Sequence, residues 1–278
     1  MTSEVIERSE ILNPGPAEAL AGLIGVAAPG DALPMMWHWV YLLDRPAQVD
    51  LGPDGHPLRG VLPAPPEPGR RRMWAGGQVR TLAPLRLGQV ATRRTHIIDT
   101  VEKHGRSGRL TFVSVRHQIT QGDTLCVDER QDVVYRDMVA AEPIAQIGDD
   151  QPAGPGEWSL EITPTLLFRF SALTYNGHRI HYDREYATVV EGYPGLLTHG
   201  PLQALMMAES ARRDGIDTTV GTTCDYRLVS PLFDFQGLVV GPGDAAGTRD
   251  AAGTRQVRDR AGRTTAVASF GPLAGSSK

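Results

Sequence analysis

The stretch YNGHRIHYDREYATVVEGYPGLLTHGPLQAL, residues 175–205, sets the frame for reading the whole chain. It gathers His178, His181 and His199, three of the eight histidines, beside Asn176 and Asp183, and it ends in an apolar run. That run defines a helix. Gly200 precedes it, Pro201 suits its first turn, and Leu202, Leu205, Met206 and Glu209 follow at helical spacing. Arg212 and Arg213 fall in the last turn, where cations complement the helix dipole, and Gly215 closes it. His199 and Gly200 therefore lie where backbone N–H groups lack an intrahelical acceptor, a place that favours negative charge. An enolate oxygen formed from a thioester carbonyl is one such charge; water or a cap is the plainer occupant.

Outward from this stretch the chain shows the same order of elements twice. In the second half, LEITPTLLFRFSAL (160–173) predicts a short helix capped by Thr163, with Pro164 at its first position. After the long helix, TTVGTTCDYRLVSPLF, FQGLVVGP, TRQVRDR and TTAVASF read as four strands. In the first half, PGPAEALAGLIGVAA (14–28) predicts a helix and DALPMMWHWVYLLD (31–44) a core segment. Residues 50–70, DLGPDGHPLRGVLPAPPEPGR, carry too much Pro and Gly for a helix or central strand and read as a long surface loop. GQVRTL, GQVATRRTHIIDTVEKH, GRLTFVSVRHQIT and DTLCVDERQDVVYR then read as strands, the last three forming an antiparallel meander. A Pro-, Gly- and Asp-rich segment near 142–157 marks a boundary, giving units of 1–145 and 155–278. The tandem DAAGTRDAAGTR (244–255) reads as a flexible loop between strands. Helix followed by antiparallel strands, repeated, gives an α+β class.

Composition narrows the function. A net charge of −4 and a pI near 6.1 argue against a general nucleic-acid binder, which needs dense Lys and Arg. Cys126 and Cys224 form neither a CxxC nor a disulfide framework, the pattern of a reducing cytoplasm. The opening MTSEVIERSE is followed by no secretory apolar region, and no apolar run reaches membrane-spanning length. The expected setting is cytoplasmic, with no membrane partner.

Three chemistries compete for the histidine-rich stretch. A neutral His181 can take a proton from water or return one near neutral pH, as hydration of a double bond requires, and Asn176 or an Asp can orient the same water. The plainer alternative has His181 packed against a strand and bonded to a carbonyl. A metal site would use His178 and His181 with Asp183 or His199, but the chain has no HEXXH and no firm third ligand, so no metal is expected. There is no G-x-S-x-G for a nucleophile, and no G-x-G-x-x-G or P-loop for a nucleotide.

FSALTYNGHRIHYDREYA…GYPGLLTHGPLQ resembles the active-site segment of MaoC-like, R-specific enoyl-thioester hydratases, whose motif D-x-N-P-[IL]-H-x-D is followed some twenty residues later by HG. GPDGHPLRG, RRMWAGGQV, EKHGRSGRLTFVSVRHQI and ERQDVVYR resemble the branch containing hydroxyacyl-thioester dehydratase type 2 and the mesaconyl-C4-CoA (3-methylfumaryl-CoA) hydratases. The likeness spans about residues 30–270. It implies a double hot-dog fold: two antiparallel sheets, each wrapped round a central helix, with the second unit carrying the chemistry and the first shaping the acyl and CoA site. It implies that His181 is the catalytic histidine and that Gly200 supplies an oxyanion-hole N–H. Asn176 stands where the wider family has its catalytic Asp, and His178 and Arg179 replace the family's Asn-Pro. An amide cannot act as a base, though it can hold water, so His181 shuttles the proton alone or a carboxylate such as Asp183 helps.

The resulting expectation is a hydro-lyase acting on a short enoyl-CoA, with mesaconyl-C4-CoA or itaconyl-CoA favoured. A 3-hydroxyacyl-carrier-protein dehydratase and a non-catalytic acyl-thioester-binding protein are the alternatives. Arg179 is a candidate partner for the free carboxylate of a C4 diacid, against a solvent-facing role. Trp74 is a candidate for stacking on the substrate, against a half-buried core role. His199 and Tyr182 complete the expected substrate-binding set. Arg70, Arg71 and Arg72 read as a solvated loop or as a draw for a CoA diphosphate. No cofactor is expected beyond the CoA of the substrate, and of monomer and homodimer the dimer is favoured.

Overall fold

The structure is a computed structural model, and it describes residues 5–62, 70–105, 108–137, 149–243 and 253–273. The first half builds β1 (Ile6–Ile11), α1 (Pro14–Ile24), β2 (Arg70–Thr81), β3 (Val90–Gly105), β4 (Gly108–Gln121) and β5 (Thr124–Asp137). The second builds β6 (Trp158–Leu160), α2 (Pro164–Leu173), α3 (Gly200–Arg213), β7 (Thr222–Leu228), β8 (Leu238–Pro242), β9 (Thr254–Arg258) and β10 (Thr264–Pro272). Every strand pairing among them is antiparallel.

The strand order is β1-β3-β4-β5-β2-β7-β10-β9-β8-β6. Read from either end it is one pattern: the first, third, fourth, fifth and second strands of a unit. The two units meet where Gly76–Thr81 of β2 pairs with Thr222–Arg227 of β7. The fold is thus a double hot-dog in which the two sheets merge into one of ten strands.

The local signals act as expected at the helix ends. Thr163 Oγ1 accepts the Leu166 N–H at 3.1 Å, and Pro164 opens α2. Pro also opens α1 and α3. Helix α1 stops at Ile24, short of residue 28, because Gly25 turns left-handed at φ 74°. Helix α3 is buried from Leu202 to Ala211, as a helix clasped by a sheet must be, and it packs on β7, β8, β9 and β10.

The first unit departs from a sheet round a long helix. Between α1 and β2 its core is filled by Leu33–Leu42, which holds only a 3₁₀ turn at Trp37–Val40. Pro34, and left-handed backbone at Met36 and Leu42, prevent a continuous helix there. Trp37 is fully buried and donates its indole N–H to Glu209 of α3 at 2.7 Å, so this segment joins the two units. Strand β2 begins at Arg70, well before GQVRTL, and Thr254 and Arg255 of the tandem tract belong to β9. Residues 244–252 of that tract, and 142–148 of the expected boundary, lie outside the described residues.

Candidate active site

The end of α2 starts the site. Tyr175 takes a left-handed conformation at φ 52° and turns the chain back. The Asn176 N–H bonds Ser171 O at 2.8 Å, and Asn176 Oδ1 accepts the His178 N–H at 3.0 Å. This side-chain turn leads into a 3₁₀ turn at Arg179–His181 that presents His181 inward. The segment before α3 then runs alongside it. The Leu197 N–H bonds Ile180 O at 3.0 Å, and Leu197 O accepts from His181 Nδ1 at 2.7 Å.

A carbonyl only accepts, so Nδ1 carries the proton and His181 Nε2 keeps its lone pair. The His199 ring stacks on His181 at 3.7 Å between centroids, and His199 Nε2 lies 2.8 Å from Ser171 Oγ. His199 immediately precedes Gly200, so the imidazole and the start of α3 share one side of the structure. A side-chain carbon at Gly200 would meet Leu228 Cδ1, the end of a side chain that can turn aside. The sequence pair HG thus brings together a ring that buttresses His181 and a backbone N–H free of side-chain crowding.

A fourth imidazole comes from the first unit. The turn Gly52–His56 is closed by the Gly52 N–H to His56 O at 2.7 Å. Asp54 O accepts the Arg179 N–H at 2.9 Å, and Gly55 lies flat against Gly177 with φ 88°. His56 is buried, its ring 4.0 Å from that of His178, which in turn meets His181 edge-on at 5.5 Å. Asp54 Oδ2 bonds His56 Nδ1 at 2.8 Å. The expectation of a mere surface loop over 50–70 is therefore corrected: its first part is docked into the site. An Asp-Gly-His sequence inside a Pro/Gly turn was the available signal.

Burial dominates the electrostatics. It lowers His181 to about 4, despite its bond to Leu197. His178 and His199 are held well below the ordinary imidazole value, again by burial first. His56 is lowered to about 4 by burial and by the Arg72 charge, against the pull of Asp54. The Asp54 carboxyl is raised by burial but lowered more by His56, so it is ionised. The site at neutral pH is four neutral imidazoles, one carboxylate and one guanidinium.

Asp54, His56 and His178 bring one potential metal-ligating atom each to within 4.8 Å. The Asp54–His56 hydrogen bond already spends one atom of each, and Arg72 adds positive charge nearby. This is the chemistry of a proton-handling dyad more than of a cation cage.

Other expected residues are occupied elsewhere. Arg179 donates to Asp183 at 2.8 and 3.0 Å and to Pro53 O at 3.0 Å, and lies over the Tyr186 ring at 4.1 Å. It clamps the loop, and its charge is met by Asp183. Asp183 also caps the Tyr186 N–H, so it does not serve His181. Tyr182 is exposed and donates to Gly177 O at 2.8 Å. Trp74 bonds Tyr226 OH at 3.1 Å and packs edge-on against Trp39, which is the half-buried core role. Arg70, Arg71 and Arg72 lie in β2, not in a solvated loop. Arg70 bonds Thr111 and Tyr135 O, Arg71 bonds Glu191, and Arg72 bonds Leu62 O.

Residues 36–234 match the family model described as hydroxyacyl-thioester dehydratase type 2. The chain belongs to the hydroxyacyl-thioester dehydratase type 2 family. As a member it is a hydro-lyase of the hydratase and dehydratase kind, acting on thioesters. It is 45% identical over 225 residues to the mesaconyl-C(4)-CoA hydratase of Chloroflexus aurantiacus, covering 78% of this chain and 79% of that protein. It is 26% identical over 228 residues to the mitochondrial hydroxyacyl-thioester dehydratase type 2 of Schizosaccharomyces pombe, covering 73% and 75%. Among solved structures, HtdX of Mycobacterium tuberculosis superposes with a TM-score of 0.67 at 15% identity, over 97% of this chain and 100% of that one. A MaoC-like dehydratase from Phytophthora capsici gives 0.65 at 13%, over 99% and 98%. These likenesses establish the same fold. Among the described residues of this family member, no helix is long and apolar enough to cross a membrane.

Proposed function

We propose that the protein adds water across the α,β double bond of a short dicarboxylic enoyl-CoA, with mesaconyl-C4-CoA or itaconyl-CoA the favoured substrates. The carrying observation is His181: its Nδ1 is tied to Leu197 O at 2.7 Å, its Nε2 keeps its lone pair, and its ring stacks on the residue that precedes Gly200. The Gly200 N–H holds the thioester oxygen as enolate character develops. His181 Nε2 takes a proton from water as oxygen bonds to the β-carbon, then returns it to the α-carbon. Atoms balance without a resident cofactor, because the CoA arrives with the substrate. The 45% identity to the Chloroflexus enzyme supports the choice of a C4 diacid. In this reading the first unit shapes the acyl and CoA site, supported by the docking of its Gly52–His56 turn. A cytoplasmic homodimer completes the proposal, with light scattering as the check on the dimer.

The test is a panel of enoyl-CoA and enoyl-carrier-protein thioesters followed by loss of enoyl absorbance. Turnover of the C4 diacid thioester that His181→Ala lowers by 10²-fold or more is expected. Preference for carrier-bound substrates would instead favour a 3-hydroxyacyl-carrier-protein dehydratase. Binding without turnover would leave an acyl-thioester-binding protein.

A further inference from the structure

A hydratase site needs two groups on its water: one to take a proton and one to fix the oxygen's direction of attack. His181 meets the first need. Asn176, which stands at the place of the wider family's carboxylate, has its side-chain oxygen committed to the His178 N–H at 3.0 Å. Asp183 is committed to Arg179 and Tyr186. Asp183 thus has both oxygens engaged, and Asn176 Oδ1, already accepting one bond, is the weaker acceptor left on this segment.

We propose that the second acceptor is His56 Nε2, delivered by the first unit and backed by Asp54. The Asp54 carboxylate accepts from His56 Nδ1 at 2.8 Å, which fixes the tautomer and leaves Nε2 as the hydrogen-bond acceptor. Asp54 Oδ1 also accepts the backbone N–H of His56 at 2.9 Å, so carboxylate and imidazole are held as one unit. Among the described residues Nε2 of His56 has no protein partner, and neither has the ring of His178 nor Nε2 of His181. His56, His178 and His181 are all buried residues, and their rings form one chain, 4.0 Å from His56 to His178 and 5.5 Å from His178 to His181, which sets the free ring nitrogens in a single cluster.

The docking of the turn argues the same way. The Arg179 N–H to Asp54 O bond, the Arg179 guanidinium to Pro53 O bond at 3.0 Å, and the Gly55–Gly177 contact all tie this turn to the histidine segment. A loop with no part in the site would not require glycine on both faces of a backbone contact.

The step is then explicit and rests on the hydratase reading above. One water O–H points to His56 Nε2 and stays intact. The other breaks, its proton going to His181 Nε2 while the oxygen bonds the β-carbon and the π pair moves to the thioester enolate. The proton returns from His181 to the α-carbon. His56 is a catalytic residue through its contact with the water, and Asp54 is a positioning residue acting through His56.

The experiment compares wild type, His181→Ala, His56→Gln, Asp54→Asn and the His56→Gln/Asp54→Asn double variant on mesaconyl-C4-CoA and crotonyl-CoA, with thermal melts of each. His56→Gln should lower kcat by about 10²-fold on both thioesters with KM within about twofold. Asp54→Asn should lower kcat by at least about tenfold, shift the lower limb of the pH–rate profile, and add nothing further in the double variant. If His56→Gln fails to fold, the near-isosteric Asp54→Asn decides, with the same tenfold threshold. An active wild type, a dead His181→Ala and a His56→Gln within threefold of wild type would overturn the assignment of His56 alone. A loss confined to the diacid would also overturn it, since His56 would then contact the substrate carboxylate. Wild type inactive on every thioester would instead remove the hydratase reading.

Discussion

Gly55→Ala should cripple the enzyme while leaving the fold in place. Gly55 sits at φ 88°, in the left-handed region, where an L side chain costs about 1–2 kcal/mol. A methyl there would lie 2.7 Å from the Gly177 carbonyl carbon and closer still to its oxygen, against an ordinary separation of about 3.5–4.0 Å. Both opposing atoms are backbone, so neither can swing away. The turn must retreat by about 1 Å, which breaks the 2.9 Å Arg179 N–H to Asp54 O bond, worth about 0.5–1.5 kcal/mol. Strain and lost bond together disfavour the docked turn by about 1.5–3.5 kcal/mol, roughly 10- to 400-fold in population. Because the turn lies outside every strand and helix and is docked through a few contacts, it can open without the sheet, and the melting temperature should drop by only a few degrees. Steady-state hydration of mesaconyl-C4-CoA gives kcat/KM, and differential scanning fluorimetry gives the melt. Wild-type kcat/KM in a folded Gly55→Ala protein would refute the claim that the first unit's turn must be docked for catalysis.

Two further outcomes follow from packing and charge. Gly200→Ala, whose methyl would push Leu228 Cδ1 aside, should cost about 1 kcal/mol or less of stability and lower kcat by a few-fold, and a second change, Leu228→Ala, should restore much of both. No rescue in the double variant would show that the constraint on Gly200 is not this contact. The buried imidazoles set an acid limit to stability. His56, His117 and His181 titrate near 4 in the folded protein, chiefly through burial, against 6.5 when free. The unfolded chain therefore binds protons that the folded one refuses, so stability is full above about 6.5 and falls as pH drops toward 4, by up to about 3 kcal/mol per imidazole. Burial would raise the Glu129 carboxyl, but bonds from His38 and Gln131 and the nearby imidazoles hold it at about 2, adding a loss as pH falls from 4.5 toward 2. Melts across this range should slope down steadily below pH 6.5; a flat profile to pH 5 would contradict the neutral, buried state of the cluster.

Local rules in the sequence determined the periodic parts of this protein. Pro at the helix starts, Thr163 as a cap, Gly25 and Gly215 as stops, and alternation in the β3–β4–β5 meander act through neighbours a few residues apart, so they are legible along the chain. His181 and the HG pair were legible for the same reason, being close in sequence to the helix they serve. Tertiary structure alone decided the rest. Asp54 and His56 reach His178 across more than a hundred residues, and no short-range pattern encodes that approach. Arg179, expected to greet a substrate carboxylate, is neutralised by Asp183 one helical turn away, and Trp74 is consumed by the β2–β7 junction with Tyr226. Which polar groups are already satisfied depends on what the fold brings beside them, and that accounting exists only in three dimensions.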